Sequence, residues 1–349
     1  MSDILVTVEG ALGHICLNRP QALNALSPEM LRDISTALTG FADNPAIAAV
    51  LISGAGERSL CAGGDIRALY EHRDQGPAFG SAYFRTEYRL NYQIATFPKP
   101  YIAFMDGITM GGGVGISAHG TVRLATDRTR LAMPETAIGL FPDIGASWLF
   151  AHAPGELGTY LALTGQIIGG ADAIFAKFAD AYIPHEVLPT LRTKLADLPS
   201  EAQLVDVKSI VNAFAHPQTA PLESHLDEIN SCFRFDAVED ILAVLAKSDT
   251  VFAKETSAQL ALKSPTSLKV TLRLIRLGRK ANNVKLCLER DYELCQHFLK
   301  SHDLYEGIRA AIVNKDRRPN WQPKTLKDVS DGAVDAYFQP GPQSLFHSE

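Results

Sequence analysis

Two carboxylates, Glu135 and Asp143, lie eight residues apart in the otherwise apolar segment LAMPETAIGLFPDIGAS. Each follows a proline, which stiffens the local backbone. A carboxylate among Ile, Leu and Phe side chains loses hydration, so it must be paired, hydrogen-bonded or held at a raised pKa. Groups of this kind are frequent at active sites, where they act as acids, bases or nucleophiles. Capping of two turns explains the segment equally well when it is taken alone.

Two glycine-rich segments, CAGGD at 61–65 and MGGGVG at 110–115, each follow a strand-like stretch. Glycine lets the backbone approach a ligand, and a helix that begins in such a loop presents free N–H groups to an anion or oxyanion. The structural alternatives are a tight turn for the first segment and close helix-to-strand packing for the second. The second segment matches neither a Walker loop nor the GxGxxG spacing, so a nucleotide site is not favoured.

A third acidic residue, Glu87, lies between Arg85 and Arg89 on a predicted helix. Its default interpretation is a surface ion pair, worth about 0 to 1 kcal/mol.

The elements that position these residues alternate between strands and helices in an α/β pattern. A helix capped by Ser27 begins at Pro28, and Pro98 and Pro100 end a later one. From about residue 203, apolar residues recur at helical spacing. The sequence therefore predicts an α/β core at 1–205 and a helical region at 206–349. The predicted strands are 4–8, 14–17, 47–52, 101–105, 122–125 and 130–133.

Composition narrows the classes of partner. The formal net charge is −6, and basic residues form no stripe, which argues against nucleic acid. Five cysteines without a CxxC pair argue against disulfides and a zinc site, and no histidine spacing suggests another metal. No run of 18 apolar residues predicts a membrane span. The acidic, strand-like start predicts a cytoplasmic protein, or a mitochondrial matrix protein if the sequence is a mature eukaryotic form.

Four segments in this order, ICLNRPQALNALS, LCAGGDIR, DGITMGGGVGISAHG and LAMPETAIGLFPDIGAS, resemble the crotonase (enoyl-CoA hydratase/isomerase) superfamily. Within it they are most similar to the 3-hydroxyisobutyryl-CoA hydrolase branch. The resemblance implies a spiral of ββα units followed by a helical C-terminal region. It also implies an acyl-CoA thioester substrate, with coenzyme A as part of the substrate and no separate cofactor.

The resemblance also implies roles for individual residues. The backbone N–H groups of Gly64 and Gly112 correspond to the family's oxyanion hole. Glu135 and Asp143 correspond to the catalytic acidic pair, and Glu87 to a further acyl-group contact. The substrate-binding residues are then Glu87, Gly112, Glu135 and Asp143. The loops that correspond to the coenzyme A site contain Asn24, Ala25, Leu26, Ala62, Gly63, Gly64 and Asp65.

One departure from the hydratase pattern favours hydrolysis. Hydratases of this superfamily carry a glutamate where this chain has Gly115, and a small residue where it has Asp143. The expected reaction is hydrolysis of a short 3-hydroxyacyl-CoA, foremost 3-hydroxyisobutyryl-CoA, as in valine breakdown. The alternatives are a hydratase or isomerase of the same fold, a hydrolase built on Ser117 and His119, and a non-catalytic acyl-CoA-binding protein. The oligomeric state stays open between a monomer and a homo-oligomer.

Overall fold

The computed structural model describes residues 2–341 and 344–346, and it divides the chain into two compact units. The first unit consists of Met1–Gly64, Arg89–Ala132 and Ile167–Glu223. The second consists of Asp65–Tyr88, Met133–Gln166 and Ser224–Glu349. The boundary predicted near residue 205 divides the chain by sequence position rather than by packing, and it stays a prediction.

The described strands all lie in the first unit. They are β1 (Ile4–Glu9), β2 (Leu12–Leu17), β3 (Ala49–Gly54), β4 (Ser59–Cys61), β5 (Tyr101–Met105), β6 (Ile108–Met110), β7 (Val122–Ala125), β8 (Arg130–Ala132) and β9 (Ala181–Tyr182). One sheet has the order β1-β2-β3-β5-β7-β9, and a second has the order β4-β6-β8. Only β1 and β2 pair antiparallel; the other described pairs are parallel.

Successive strands alternate between the two sheets. β3, β5 and β7 enter the larger sheet, and the strand that follows each of them, β4, β6 or β8, enters the smaller one. Parallel neighbours require a crossover connection, so the chain advances by one strand in each sheet per turn. The predicted α/β succession of ββα units is confirmed.

Helices occur in both units, and α3 crosses the division after Tyr88. They are α1 (Pro28–Asp43), α2 (Ile66–Glu71), α3 (Ala78–Ala95), α4 (Gly112–Gly115), α5 (Ala146–Ala151), α6 (Leu157–Thr164), α7 (Gly170–Phe175), α8 (Leu188–Ala196), α9 (Leu204–Asn212), α10 (Leu226–Phe233), α11 (Val238–Leu245), α12 (Val251–Leu260), α13 (Pro265–Gly278), α14 (Val284–Phe298), α15 (His302–Ile308) and α16 (Asp331–Tyr337).

The start of α1 follows the sequence prediction. The side chain of Ser27 accepts a hydrogen bond from the N–H of Met30 at 3.2 Å, and Pro28 is the first helical residue. In the first unit, side chains such as Leu51, Ile102 and Leu124 of the larger sheet pack against α8 and α9 in one buried apolar cluster. This packing holds the larger sheet in place, whereas the glycine loops follow strands of the smaller sheet.

The second unit is helical. α13 packs against α5 and α6, and α14 packs against α5. The periodic stretches LKVTLRLIRLGRK and KLCLERDYELCQHFLK fall on α13 and α14, so their predicted helical structure is confirmed. Within the described residues, every helix is too short or too polar to span a lipid bilayer.

Candidate active site

The two glycine loops meet in the first unit because they follow neighbouring strands. β4 and β6 are parallel, with Ser59 opposite Ile108. The carboxyl ends of parallel neighbours lie at the same sheet edge. A Cβ atom built on Gly113 would lie 2.2 Å from the carbonyl oxygen of Cys61, so this contact tolerates no side chain. Glycine at 113 is therefore a packing requirement between the loops.

Gly64 and Gly112 each present an unused backbone N–H. Gly112 is the first residue of α4, where an N–H has no partner within the helix. No hydrogen bond among the described residues uses the N–H of Gly64 or of Gly112. The loops are close, since a Cβ atom on Gly63 would lie 3.8 Å from the nitrogen of Gly112. The first unit thus brings together the two N–H groups that the sequence singled out.

The loop around Asn24 joins the first glycine loop. The N–H of Leu26 donates to Gly63 at 2.9 Å, and the N–H of Ala62 donates to Leu23 at 3.0 Å. The first unit therefore gathers six of the residues predicted to line the coenzyme A site. These are Asn24, Ala25, Leu26, Ala62, Gly63 and Gly64. Asp65 belongs to the second unit, where it immediately precedes α2.

The side chain of Asn24 holds its own loop in place. Its Oδ1 accepts from the N–H of Arg19 at 2.9 Å, and its Nδ2 donates to the carbonyl oxygens of Ala55 and Ser59 at 3.1 and 3.0 Å. The residue is fully buried and has a φ of 56°. Asn tolerates this left-handed backbone better than most residues. Its N–H also donates to the carbonyl oxygen of Arg19 at 2.9 Å, so these groups of Asn24 shape the loop.

The second unit gathers the three predicted acidic residues. Glu87 lies on α3, Glu135 begins a 3-10 turn that ends at Ile138, and Asp143 follows that turn. They are 3%, 6% and 5% exposed, so none of them is a surface group. The surface ion pair considered for Glu87 is therefore excluded. Three carboxyl groups buried close together cannot all be ionised without a large energetic cost.

Burial and mutual repulsion raise the pKa values of the acidic cluster. Burial, followed by the charge of Asp143, raises the pKa of Glu87 and that of Glu135 well above the usual range. Burial also raises the pKa of Asp143, to about 6, although a hydrogen bond from Tyr88 opposes the rise. Tyr88 is the group among these whose hydrogen bond favours the ionised form of Asp143.

Two oxygens of this cluster, Oε1 of Glu87 and Oε2 of Glu135, are buried without a hydrogen-bond partner among the described residues. A buried polar atom without a partner is rare in native proteins, and water or a ligand commonly satisfies it. Both atoms belong to residues that the sequence selected for chemistry. Both atoms therefore have capacity for a further hydrogen bond.

The loop that carries Asp143 has an unusual backbone. Ile144 has a φ of 59° and Gly145 a φ of 74°. A β-branched residue in the left-handed region is a genuine outlier and costs energy. The N–H of Gly145 donates to Oδ2 of Asp291 at 2.7 Å, and the loop ends where α5 begins at Ala146. Asp291 thus fixes the backbone two residues after Asp143.

Four residues around the acidic cluster were missed from the sequence: Tyr88, Lys263, Asp291 and Cys295. The hydroxyl of Tyr88 donates to Oδ2 of Asp143 at 2.6 Å. Burial lowers the pKa of Lys263, and the charge of Glu135 opposes that shift. Asp291 and Cys295 are four residues apart on α14, a spacing that places them on one helix face and was available as a signal.

The alternative of a hydrolase built on Ser117 and His119 is not supported by the contacts of Ser117. The hydroxyl of Ser117 donates to the carbonyl oxygen of Gly113 at 2.6 Å and is fully buried. A serine nucleophile instead needs its hydroxyl next to a base. In the described part of the chain, no group of three or more His, Cys, Asp or Glu side chains has a metal-binding arrangement.

Comparison with known proteins identifies the same family that the sequence segments predicted. The family model described as enoyl-CoA hydratase/isomerase matches residues 12–338. The chain belongs to this family. A curated relative from Rattus norvegicus, "3-hydroxyisobutyryl-CoA hydrolase, mitochondrial", is 41% identical over 97% of this chain and 89% of its own. A protein of the same name from Xenopus tropicalis is 42% identical over 96% of this chain and 88% of its own.

Two solved structures share the fold along the whole chain. A carnitinyl-CoA dehydratase from Mycobacterium thermoresistibile is 42% identical with a TM-score of 0.93, covering 99% of this chain and 98% of that one. An enoyl-CoA hydratase from Rhodobacter sphaeroides is 39% identical with a TM-score of 0.90, covering 99% and 100%. The predicted family and fold are confirmed, while the names of similar proteins divide between a hydrolase and two lyases.

Proposed function

We propose that this protein hydrolyses the thioester of a short 3-hydroxyacyl-CoA, foremost 3-hydroxyisobutyryl-CoA, to the 3-hydroxy acid and free coenzyme A. The observation that carries the proposal is the buried pair Glu135 and Asp143, whose pKa values are raised. Full-length relatives named as 3-hydroxyisobutyryl-CoA hydrolases support the choice of substrate. The corresponding pathway is valine breakdown.

Glu135 is the group that we assign to the thioester carbonyl. Its raised pKa makes the ionised form a stronger base than an ordinary glutamate, and its Oε2 has no partner among the described residues. It either removes a proton from the attacking water or attacks the carbonyl carbon itself, expelling the thiolate and forming a mixed anhydride that water cleaves. A borohydride quench during turnover would convert an anhydride at Glu135 to an alcohol, which peptide mass spectrometry detects.

Asp143 and Glu87 are assigned to the acyl group. Oδ2 of Asp143 already accepts from Tyr88, so we assign its other oxygen, Oδ1, to the 3-hydroxyl of the substrate. An ionised acceptor gives a stronger hydrogen bond than a neutral one. The raised pKa of Glu87 favours its protonated form, which can donate to an acyl oxygen and does not repel the charge on Asp143.

The backbone N–H groups of Gly64 and Gly112 are assigned to the thioester oxygen. Both are unused in the described part of the chain, and their loops are held close together. Loss of one oxyanion donor costs about 2.7 to 4 kcal/mol in other enzymes. The proposed reaction includes no cofactor beyond the coenzyme A of the substrate.

A second candidate function is hydration or dehydration of an enoyl thioester. It is favoured by the names of the two solved structures at 42% and 39% identity. Against it stands Gly115, which lies buried in α4 and offers no acid where hydratases of the superfamily carry a glutamate. We therefore place hydrolysis first.

The proposal is tested with two substrates in parallel. Purified protein is mixed with 3-hydroxyisobutyryl-CoA and, separately, with crotonyl-CoA, while free thiol and enoyl absorbance are followed. Thiol release from the first without change in the second is the expected result. Loss of enoyl absorbance without thiol release would make the protein a hydratase, and Asp143 would need a different role.

The cellular compartment and the oligomeric state of the protein are proposals. The relatives' names carry the word mitochondrial, so we place the reaction in the matrix if the source is eukaryotic and in the cytoplasm otherwise. The partner that we propose is the small acyl-CoA substrate, and the homo-oligomer stays a prediction.

A further inference from the structure

The hydroxyl group of Tyr88 lies between two groups that the sequence did not connect. It is 2.6 Å from Oδ2 of Asp143 and 2.8 Å from Sγ of Cys295, and Tyr88 is fully buried. A phenol has a single hydrogen to donate. A carboxylate is a far better acceptor than a sulfur atom, so this hydrogen points to Asp143.

The thiol of Cys295 completes the arrangement. Burial, followed by the charge of Asp143, raises the pKa of Cys295 well above its usual value, so the sulfur keeps its proton. Its S–H can then donate to the oxygen of Tyr88, which leaves the tyrosine hydrogen directed at the carboxylate. The hydrogen bonds form a chain that runs in one direction, from Cys295 through Tyr88 to Asp143.

We propose that Tyr88, oriented by Cys295, is a positioning residue that keeps Asp143 an ionised hydrogen-bond acceptor. The roles of Asp143 and Glu135 in turnover rest on the function proposed above. The arrangement itself is a property of the resting protein and can be measured without substrate.

The groups that face Asp143 show why a donor is needed there. Two come from α3, one from the 3-10 turn and two from α14, and they are Glu87, Tyr88, Glu135, Asp291 and Cys295. Four of these either repel a charge on Asp143 or are neutral, whereas the Tyr88 hydroxyl stabilises it. Lys263 and Arg290 are the cations nearby, and they favour the ionised forms of Glu135 and Asp291 respectively.

The donor also affects the pKa of Glu135. The hydrogen bond from Tyr88 lowers the pKa of Asp143, and the charge retained on Asp143 raises the pKa of Glu135. Without that hydrogen bond the two values move toward each other, because Asp143 becomes easier to protonate and repels a charge on Glu135 less. Two carboxyl groups coupled in this way titrate as a pair.

The decisive variant is Tyr88→Phe, which keeps the ring and removes only the donor. The expected result is a rise in the pKa of Asp143 by about one unit, the size of a single hydrogen bond to a charged group. The acidic limb of the kcat/KM profile for thioester hydrolysis should move to higher pH by the same amount. At neutral pH the expected loss in kcat/KM is about twofold, and it grows toward about tenfold as the pH falls below 6.

A matched control is Tyr305→Phe in the same unit. The hydroxyl of Tyr305 donates to the carbonyl oxygen of Leu299 at 2.8 Å, so the change removes one tyrosine hydrogen bond away from Asp143. Tyr305→Phe should not shift the pH dependence of kcat/KM. In an Asp143→Asn background, Tyr88→Phe should no longer move the acidic limb, because the titrating group is gone.

The measurement that separates this inference from the proposed function is carboxyl-carbon NMR of the resting protein, with aspartate labelled at Cγ. The resonance that disappears in Asp143→Asn should titrate at about 6 in the parent and about one unit higher in Tyr88→Phe. If the pKa of Asp143 rises in Tyr88→Phe but the parent protein releases no thiol, the proposed function is refuted and this inference stands. An unmoved titration in a folded, active Tyr88→Phe would overturn the inference.

Cys295→Ala provides the test if Tyr88→Phe does not fold. Cys295→Ala leaves the phenol in place but lets its hydrogen turn away from Asp143. The pKa of Asp143 should therefore rise by a smaller amount, about half a unit. Cys295→Ser restores a donor and should return the titration toward the parent value. If Cys295→Ala and Cys295→Ser both left the titration of Asp143 unmoved, the positioning role would be refuted.

Discussion

The glycine loops of the first unit and the acidic cluster of the second are built in different ways. The loops offer backbone N–H groups, and their shape is set by close contacts such as that between Gly113 and Cys61. The cluster offers side chains, and its properties are set by burial and by groups distant in sequence, such as Glu87 and Tyr88 on α3. A site made of backbone depends on sterics, whereas a site made of buried carboxyl groups depends on its electrostatic surroundings.

The largest effect should follow from a side chain placed between the loops. In Gly113→Ala, the added Cβ atom meets the carbonyl oxygen of Cys61 at 2.2 Å, so the backbone must shift. We expect a loss of about 3 kcal/mol in the free energy of unfolding. Urea denaturation monitored by circular dichroism measures it.

Gly40→Ala is the control for that experiment. Gly40 lies within α1, and a Cβ atom there would meet nothing within 4 Å. Alanine should stabilise the protein by about 0.5 to 1 kcal/mol. Equal effects of the two substitutions would mean that the loops are not held by the contact between Gly113 and Cys61.

The acidic cluster should reveal itself through the pH dependence of stability. The pKa of Glu87 is raised in the folded protein, so above its ordinary value the folded state holds a proton that the unfolded state has lost. The free energy of unfolding therefore falls as pH rises through this window. Glu87→Gln removes that titration, so above about pH 4.5 its free energy of unfolding should fall less steeply with rising pH than that of the parent.

Urea denaturation of both proteins across this pH range checks the prediction. Parallel stability curves for the parent and Glu87→Gln would mean that Glu87 is not held protonated by burial and Asp143. The difference between the two regions would then be smaller than we describe.

The smallest effect concerns substrate selection. Asp143→Asn keeps an oxygen acceptor but removes the charge that we assign to the 3-hydroxyl. We expect kcat/KM to fall about tenfold more for 3-hydroxyisobutyryl-CoA than for isobutyryl-CoA, because a hydrogen bond to a charged group is stronger than one to an amide. Equal losses of kcat/KM for the two thioesters would mean that Asp143 does not bind the 3-hydroxyl group.

The backbone site could be predicted from the sequence more fully than the side-chain site. Tyr101–Met105 and Val122–Ala125 lie where apolar runs predicted strands, but β4 and β6, not the predicted strands, directly precede the glycine segments. The three-residue strands β4 and β6 were not predicted, because they are too short to show periodicity. Even so, the loops that they carry were recognisable from their glycines.

Only part of the acidic cluster could be predicted from the sequence. Glu135 and Asp143 stood out because their neighbours are apolar, but nothing local predicted that Tyr88 would donate to Asp143. Asp291 looked like an ordinary polar residue of an amphipathic helix. The left-handed conformation of Ile144 had no sequence signal at all, because β-branched residues disfavour it.

The most direct test of the central claim is Glu135→Gln, with turnover and coenzyme A binding measured on the same preparation. Thiol release from 3-hydroxyisobutyryl-CoA should fall by about 100-fold or more, the usual contribution of a general base. The dissociation constant for coenzyme A, measured by calorimetry, should stay within about threefold of the parent, because Glu135 is assigned to chemistry and not to binding. Parent-like thiol release from folded Glu135→Gln would contradict the claim.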